Sequence, residues 1–156
     1  MIEKEFKVKT NWSFVNKKQN SSVFSNSKTH QVYIKDKAVL TVSAAKEFKG
    51  DKTKHNPEDL FLAALSSCHM MSYMYLCDKN KITLIDYLDE TSGTLLVNKD
   101  GSGAFISVVL SPIVTILEKN KIDLALSLHT EASRLCFIAN SSSVPITHKP
   151  QIKIAE

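Results

Sequence analysis

Residues 56–77 read NPEDLFLAALSSCHMMSYMYLC. Asn56 is suited to cap a helix, Pro57 to fill its first position, and Glu58 and Asp59 to face the positive end of the helix dipole. The spacing predicts a helix running to about Lys79, roughly 33 Å long at about 1.5 Å per residue. Leucine, methionine, alanine and aromatic side chains leave it no continuous polar face. A helix apolar nearly all round is buried nearly all round, and a chain of 156 residues has few ways to enclose one alone. A partner subunit is therefore expected.

The same helix carries Cys68 and Cys77. Nine residues at about 100° each turn Cys77 to the opposite side, so it is expected in the core. In mid-helix the dipole cannot lower the pKa of Cys68, and a reactive thiol there needs a cation brought from elsewhere in the chain. Glu58, three turns below, could hold such a cation, although an acidic residue in a first helical turn is also commonplace. His69 points about 100° away from Cys68 and reads as a packed or interface histidine. The third cysteine, Cys136, closes a second helical pattern, and packing of the two helices would let Cys68 and Cys136 face each other. Composition and periodicity leave inert packing and thiol chemistry both open. A zinc site from Cys68, His69, His129 and Cys136 lacks CxxC or HxxxH spacing, and no GxSxG, GxGxxG or P-loop is present.

Around this helix the pattern is that of one α+β domain over residues 1–156. Residues 4–15, 30–36 and 38–45 read as three antiparallel strands and KGDKTKH, 49–55, as a loop. LIDYLDETSGTLLV and AFISVVLSPIVTIL form strands joined at a KDGSG turn. NKIDLALSLHTEASRLCFIANS is the second helix, with Asn120 as cap and a stripe of Ile122, Leu126, His129, Ala132 or Ser133, and Cys136. PITHKPQIKIA is an edge strand, since Pro145 and Pro150 bar it from a sheet centre.

Apolar residues make up 43% and charged residues 23%, values of an ordinary folded chain. The net charge is +4, but all but one of the 20 basic residues are scattered lysines, without the arginine and aromatic clusters of nucleic-acid surfaces. The N-terminal MIEKEFKVKTNWSF has no apolar signal region, and charged or polar residues interrupt every candidate membrane span, so a cytoplasmic protein is expected. An odd cysteine count argues against a disulfide scaffold.

The block NPEDLFLAALSSCH followed by EASRLCFIANS resembles the OsmC/Ohr superfamily, named for osmotically inducible protein C and organic hydroperoxide resistance. HQVYI, TVSAA, FKGD, SGTLLV and VVLSPIV follow in the family's order, and the resemblance covers most of the chain. CFIANS is similar to the broader OsmC-like group, because the hydroperoxide-resistance branch has proline directly after this cysteine. The resemblance implies antiparallel sheets wrapped around two long helices in an intertwined homodimer. It further implies a thiol-dependent peroxidase acting on hydrophobic organic hydroperoxides. Cys68 matches the attacking cysteine, Cys136 the resolving cysteine, and Glu58 the carboxylate that orients a cation. No bound cofactor is implied; an external dithiol, such as a lipoylated protein or other thiols, restores the pair. The family's cation is an arginine, and here the matching position in SNSKTH is Lys28, a point charge that cannot make arginine's two-pronged contact. That departure keeps a second function in play: a non-catalytic dimeric binding or redox-sensing protein of the same fold.

Overall fold

The computed structural model describes residues 2–13 and 28–156. Two compact units divide the chain after Leu60, and α1 (Pro57–Lys79) crosses that boundary. In the first unit, β1 (Lys9–Asn11), β2 (His30–Tyr33) and β3 (Leu40–Val42) form an antiparallel sheet in that order. The expected strands exist but are shorter than their alternating patterns, and residues 14 and 15 lie outside the described residues. A single 3-10 turn, Lys46–Phe48, precedes the helix. The Asn56 side chain caps α1 as expected: its Oδ1 accepts the Asp59 amide proton at 2.8 Å. Asp59 returns the contact by accepting from Asn56 Nδ2 at 2.6 Å.

The second unit has twice the strands that the sequence suggested between residues 84 and 117. They are β4 (Leu84–Asp89), β5 (Ser92–Val97), β6 (Gly103–Leu110) and β7 (Pro112–Ile116). β5 and β6 form the expected hairpin around Gly101, whose φ of 87° suits glycine in the turn. β4 pairs instead with β7 in a different sheet. The breaks are made by Asp89, which accepts from Thr91 Oγ1 at 2.7 Å and from the Ser111 amide at 2.8 Å. One carboxylate thus ends both long apolar runs and redirects the chain. The C-terminal tail lies at sheet edges as expected, but in two pieces: β8 (Ile146–His148) runs parallel to β6, and β9 (Gln151–Ile154) runs parallel to β7. The two sheets are β4-β7-β9 and β5-β6-β8.

The second helix also departs from expectation. A 3-10 turn at Lys119–Lys121 leads into α2 (Ile122–Leu135), whose cap is Lys121, without a side-chain bond, and not Asn120. The Lys121 ammonium is used elsewhere, donating to the Asn80 and Lys81 carbonyls at 3.1 and 2.6 Å, where the dipole of α1 ends. The buried stripe of α2 is Ala125, Leu128, His129 and Ala132, while Leu126 is exposed. Cys136 leaves the helical conformation with φ −72° and ψ 107°, and α3 (Phe137–Asn140) begins anew after it.

These elements give two core clusters. Tyr73, Leu76 and Cys77 of α1 pack with Ala125, Leu128 and Ala132 of α2 and with Val114 and Ile116 of β7. Leu65 of α1 packs with Val108 and Leu110 of β6, flanked by Phe61, Phe105 and Ile138. By length and composition α1 could cross a membrane, but it is the helix around which both clusters are built. Cys68 and His69 fall between the residues that enter one cluster and those that enter the other.

Candidate active site

Four residues on α1, Leu65, His69, Tyr73 and Leu76, recur at intervals of three and four and are buried on one face. Met71, Met74 and Tyr75, on the opposite face, are 59%, 46% and 59% exposed. Cys68 sits between these faces and is half-buried. Its neighbour across the helix seam is Cys136, close enough for the two thiols to interact. Both sulfurs are free thiols. The sequence left open whether these two residues meet; the fold of the second unit brings them together.

The two thiols differ sharply in access. Cys136 is 1% exposed. Burial pushes its pKa up to about 11, only partly opposed by the Ala139 amide, which donates to Sγ at 3.4 Å. At neutral pH Cys136 therefore keeps its proton, and the contact with Cys68 reinforces that state. Its short bond to Ala139 arises because Cys136 is the N-cap of α3, a role the sequence reading did not assign. The clue was there in principle: a helix pattern ending on a small polarisable side chain three residues before the Ala139 amide it caps.

An apolar cluster is built from the α1 residues that precede Cys68 and the α3 residues that follow Cys136. Phe61 stacks on Phe105 at a centroid distance of 5.2 Å. A Cβ on Gly93 would come within 2.8 Å of the Phe105 ring and 2.9 Å of Leu62, so a side chain there would push one of them aside. Ile138 and Ala139 of α3 join the same cluster beside Cys136.

The other expected site residues belong to the first unit. Lys28 is exposed, and its Nζ donates to the Phe48 carbonyl at 2.7 Å. Glu58 lies in the first turn of α1, with one buried carboxylate oxygen, Oε2, lacking any partner among the described residues. The described ion pairs are Lys7 with Glu5 and Arg134 with Glu131, so Lys28 and Glu58 do not form one. Arg134 is turned to the surface in its pair with Glu131.

Sequence reasoning missed a histidine cluster beside the cysteines. His69 Nε2 and His129 Nδ1 are hydrogen-bonded at 3.0 Å, and each residue is 2% exposed. His148 stacks on His69 at 4.6 Å, and Tyr73 stacks on His129 at 4.0 Å. Burial lowers the pKa of His69 to about 4 and of His129 to about 3, with the neighbouring imidazoles adding to both shifts and Asp89 opposing them. His148 is lowered by burial as well. The cluster is neutral at physiological pH. Among the described residues no three of His, Cys, Asp and Glu are grouped to hold a metal ion; the rings of His69 and His148 lie face to face instead of converging their nitrogens.

Comparison with known proteins agrees with this architecture. No curated protein matches the chain at a significant level. Among solved structures, an OsmC-like protein of unknown function from Vibrio cholerae is similar with a TM-score of 0.82 at 25% identity, covering 96% of this chain and all of that one. The organic hydroperoxide resistance protein OsmC of Legionella pneumophila matches with a TM-score of 0.70 at 19% identity, over 96% of each chain. The organic hydroperoxide resistance protein OhrB of Bacillus subtilis matches with a TM-score of 0.60 at 17% identity, over 96% of this chain and 98% of that one. Residues 50–150, which hold all three cysteines and the histidine cluster, match the family model of the OsmC-like protein, and the chain belongs to that family.

Proposed function

We propose that this protein is a thiol-dependent peroxidase that reduces organic hydroperoxides through Cys68 and Cys136. The observation that carries this reading is the asymmetry of the pair: a half-buried Cys68 in contact with a Cys136 that is 1% exposed and keeps its proton. A substrate can reach only the first sulfur, and the second sulfur has the first as its reaction partner.

The Cys68 thiolate attacks one oxygen of the hydroperoxide, the O–O bond breaks, and the departing alkoxide takes a proton to become the alcohol. Cys68 is left as a sulfenic acid. The Cys136 sulfur then attacks the Cys68 sulfur, the S–O bond breaks, and the hydroxide leaves with the Cys136 thiol proton as water. The product is a Cys68–Cys136 disulfide, which an external dithiol reduces by exchange. An apolar cluster of Phe61, Leu65, Phe105 and Ile138, built from the residues before Cys68 on α1 and after Cys136 on α3, suits an organic hydroperoxide better than hydrogen peroxide. The exposed face of Met71, Met74 and Tyr75 supports a homodimer in which a second copy covers α1 and shields Cys68 from bulk water. A disulfide that must be reopened each turnover is consistent with the reducing cytoplasm.

The second reading, a dimeric binding or redox-sensing protein without turnover, is favoured by one observation. Lys28 is seated on the Phe48 carbonyl while a buried oxygen of Glu58 has no described partner. For Lys28 to serve as the cation that the family resemblance assigns to Glu58, its ammonium has to exchange that carbonyl for the carboxylate.

Intact-mass measurement with thiol counting, before and after a single equivalent of cumene hydroperoxide, separates the two. The peroxidase reading expects rapid loss of two thiols in the wild type and a sulfenic acid on Cys68 in Cys136→Ser. Three thiols unchanged after minutes would sink it and leave the binding protein.

A further inference from the structure

α1 and α2 are bridged twice. Cys68 and His69 are adjacent on α1, but Cys136 follows His129 by seven residues, at the cap where α2 ends. Contacts one residue apart on one helix and seven apart on the other belong to helices that cross. A crossing held by one contact can pivot about it, whereas two contacts fix the angle.

The histidine contact is an expensive way to hold a seam. The shared hydrogen bond requires one ring nitrogen to donate and the other to accept, which leaves one N–H and one lone pair on the far nitrogens. Those are His69 Nδ1 and His129 Nε2, both buried without a partner among the described residues. Two apolar side chains would fill the space without that penalty. What the pair adds is direction: a bond of 3.0 Å, with His69 backed by the His148 ring and His129 by Tyr73. Each imidazole is clamped so that only one approach of the helices satisfies both.

We propose that His69 and His129 are positioning residues that set the crossing of α1 and α2 and thereby hold Cys136 in line for attack on oxidised Cys68. The proposal rests on the peroxidase reading for its biological use, but not for its test. Seven residues give a lever of about 10.5 Å, so a pivot of about 6° about the histidine bond moves Cys136 by about 1 Å. Misplacement of about 1 Å slows a reaction up to roughly 10²-fold. The effect falls on disulfide closure and spares the first step, because Cys68 is carried by α1 alone.

The choice of replacement separates position from packing. His129→Phe keeps an aromatic ring to stack on Tyr73, slightly enlarged, but loses the hydrogen bond. His129→Asn loses the ring but places an amide where Nδ1 stands. Closure is followed after hydroperoxide addition, and separately as the dithiol–disulfide equilibrium in a dithiothreitol redox buffer, which needs no peroxidase activity. The first step is read as loss of the Cys68 thiol with each substitution in a Cys136→Ser background.

Expected for His129→Phe is about tenfold slower closure and about a tenfold shift of the equilibrium toward the dithiol, the equivalent of about 1.4 kcal/mol, with the first step within about twofold of Cys136→Ser. His129→Asn recovers closure to within about threefold of wild type although it is the less stably folded of the two, since it leaves a cavity. If His129→Phe does not fold, His69→Gln, whose amide stands where Nε2 was, against His69→Met gives the same ordering. Closure in the phenylalanine variant at the wild-type rate and equilibrium overturns the proposal, as does a phenylalanine variant that closes better than the asparagine one. Should wild type ignore hydroperoxide yet form the disulfide in dithiothreitol buffer, the peroxidase reading falls while the equilibrium shift still decides the role of the histidines. A wild type that forms no disulfide in either overturns both.

Discussion

Cys68 meets Cys136 where α2 ends and His69 meets His129 within it, and Cys136 and the two histidines stay neutral by opposite routes. Burial penalises charge in each case. It makes Cys136 hold its proton up to about pH 11, and it makes His69 and His129 refuse theirs down to about pH 4 and pH 3. The difference that matters for chemistry is access. Both histidines are 2% exposed and Cys136 is 1% exposed, whereas Cys68 is open enough to meet a small molecule. In the proposed cycle one bridge is where bonds change, and the other is the joint that positions it.

The strongest way to break that comparison is to remove the accessible sulfur. Cys68→Ser is expected to lower hydroperoxide consumption by ~10³-fold or more, as loss of an essential nucleophile does, while leaving stability within ~1 kcal/mol of wild type. Cys77→Ser, in the core next to Tyr73, should do the reverse and destabilise with little effect on the chemistry per folded molecule. Peroxide consumption and urea unfolding of the two variants check this, and equal consumption by Cys68→Ser removes the distinction between the bridges.

Acid tests the histidine bridge. Both folded-state pKa values lie below the ordinary histidine value of 6.5, so the unfolded chain takes up protons first as pH falls. The stability is fully present above about pH 6.5 and is lost as pH drops toward 4, at about 2.7 kcal/mol per pH unit for the two residues once both titrate in the unfolded state. The groups facing them are His148, whose protonation would repel theirs, Asp89, whose charge moderates the shift, and Tyr73, which stays protonated. Urea midpoints at pH 7, 5.5 and 4.5 should fall steeply over the last interval, and about half as steeply in His129→Phe. A flat profile would mean that the imidazoles are hydrated in the native state.

How much of this was readable beforehand follows the range of the interactions. The start and length of α1 were legible because Asn56, Pro57, Glu58 and Asp59 act on their own neighbours, and the structure has Asn56 capping as its type suggests. The exposure of Met71, Met74 and Tyr75 was foreshadowed by a helix without a polar face. The four-strand layout of residues 84–116 was not legible, because its breaks depend on Asp89 binding Ser111, 22 positions away, and Ser66, 23 positions away. The same holds for His69: rotation from Cys68 showed where it does not point, but its partner lies 60 residues off. His129 and Cys136 were placed on one stripe of the second helix; His129 does lie on the buried face of α2, whereas Cys136 is the residue at which that helix ends. The parts of Lys28 and Glu58 rest on the family resemblance.

Asp89 offers a smaller perturbation that reaches both bridges from below. Its carboxylate accepts from Ser66 at 2.6 Å, one turn before His69, as well as from Thr91 and Ser111. Asp89→Ala leaves a backbone amide and two hydroxyls without their acceptor in a half-buried setting, and a loss of about 2–3 kcal/mol is expected. Asp89→Asn, which keeps an oxygen for the Ser111 amide, should lose roughly half of that. Urea unfolding at pH 7 checks the pair; no difference between them would mean that the Ser111 contact carries nothing.

The smallest expected effect sharpens what holds His129. Tyr73 both stacks on its ring at 4.0 Å and donates its hydroxyl proton to the Ala125 carbonyl at 3.1 Å, one turn earlier on α2. Tyr73→Phe keeps the stack and deletes the donation. The Ala125 carbonyl is inside a helix and already accepts an intrahelical bond, so the loss should be about 1 kcal/mol, near the mean for a neutral hydrogen bond. If stacking and the His69 bond are what orient His129, disulfide closure in Tyr73→Phe stays within about twofold of wild type while stability drops by that ~1 kcal/mol. If closure slows as far as it does in His129→Phe, the orientation of the imidazole comes from the tyrosine hydroxyl fixing α2, and the crossing is set by Tyr73 with Ala125 and not by the two histidines.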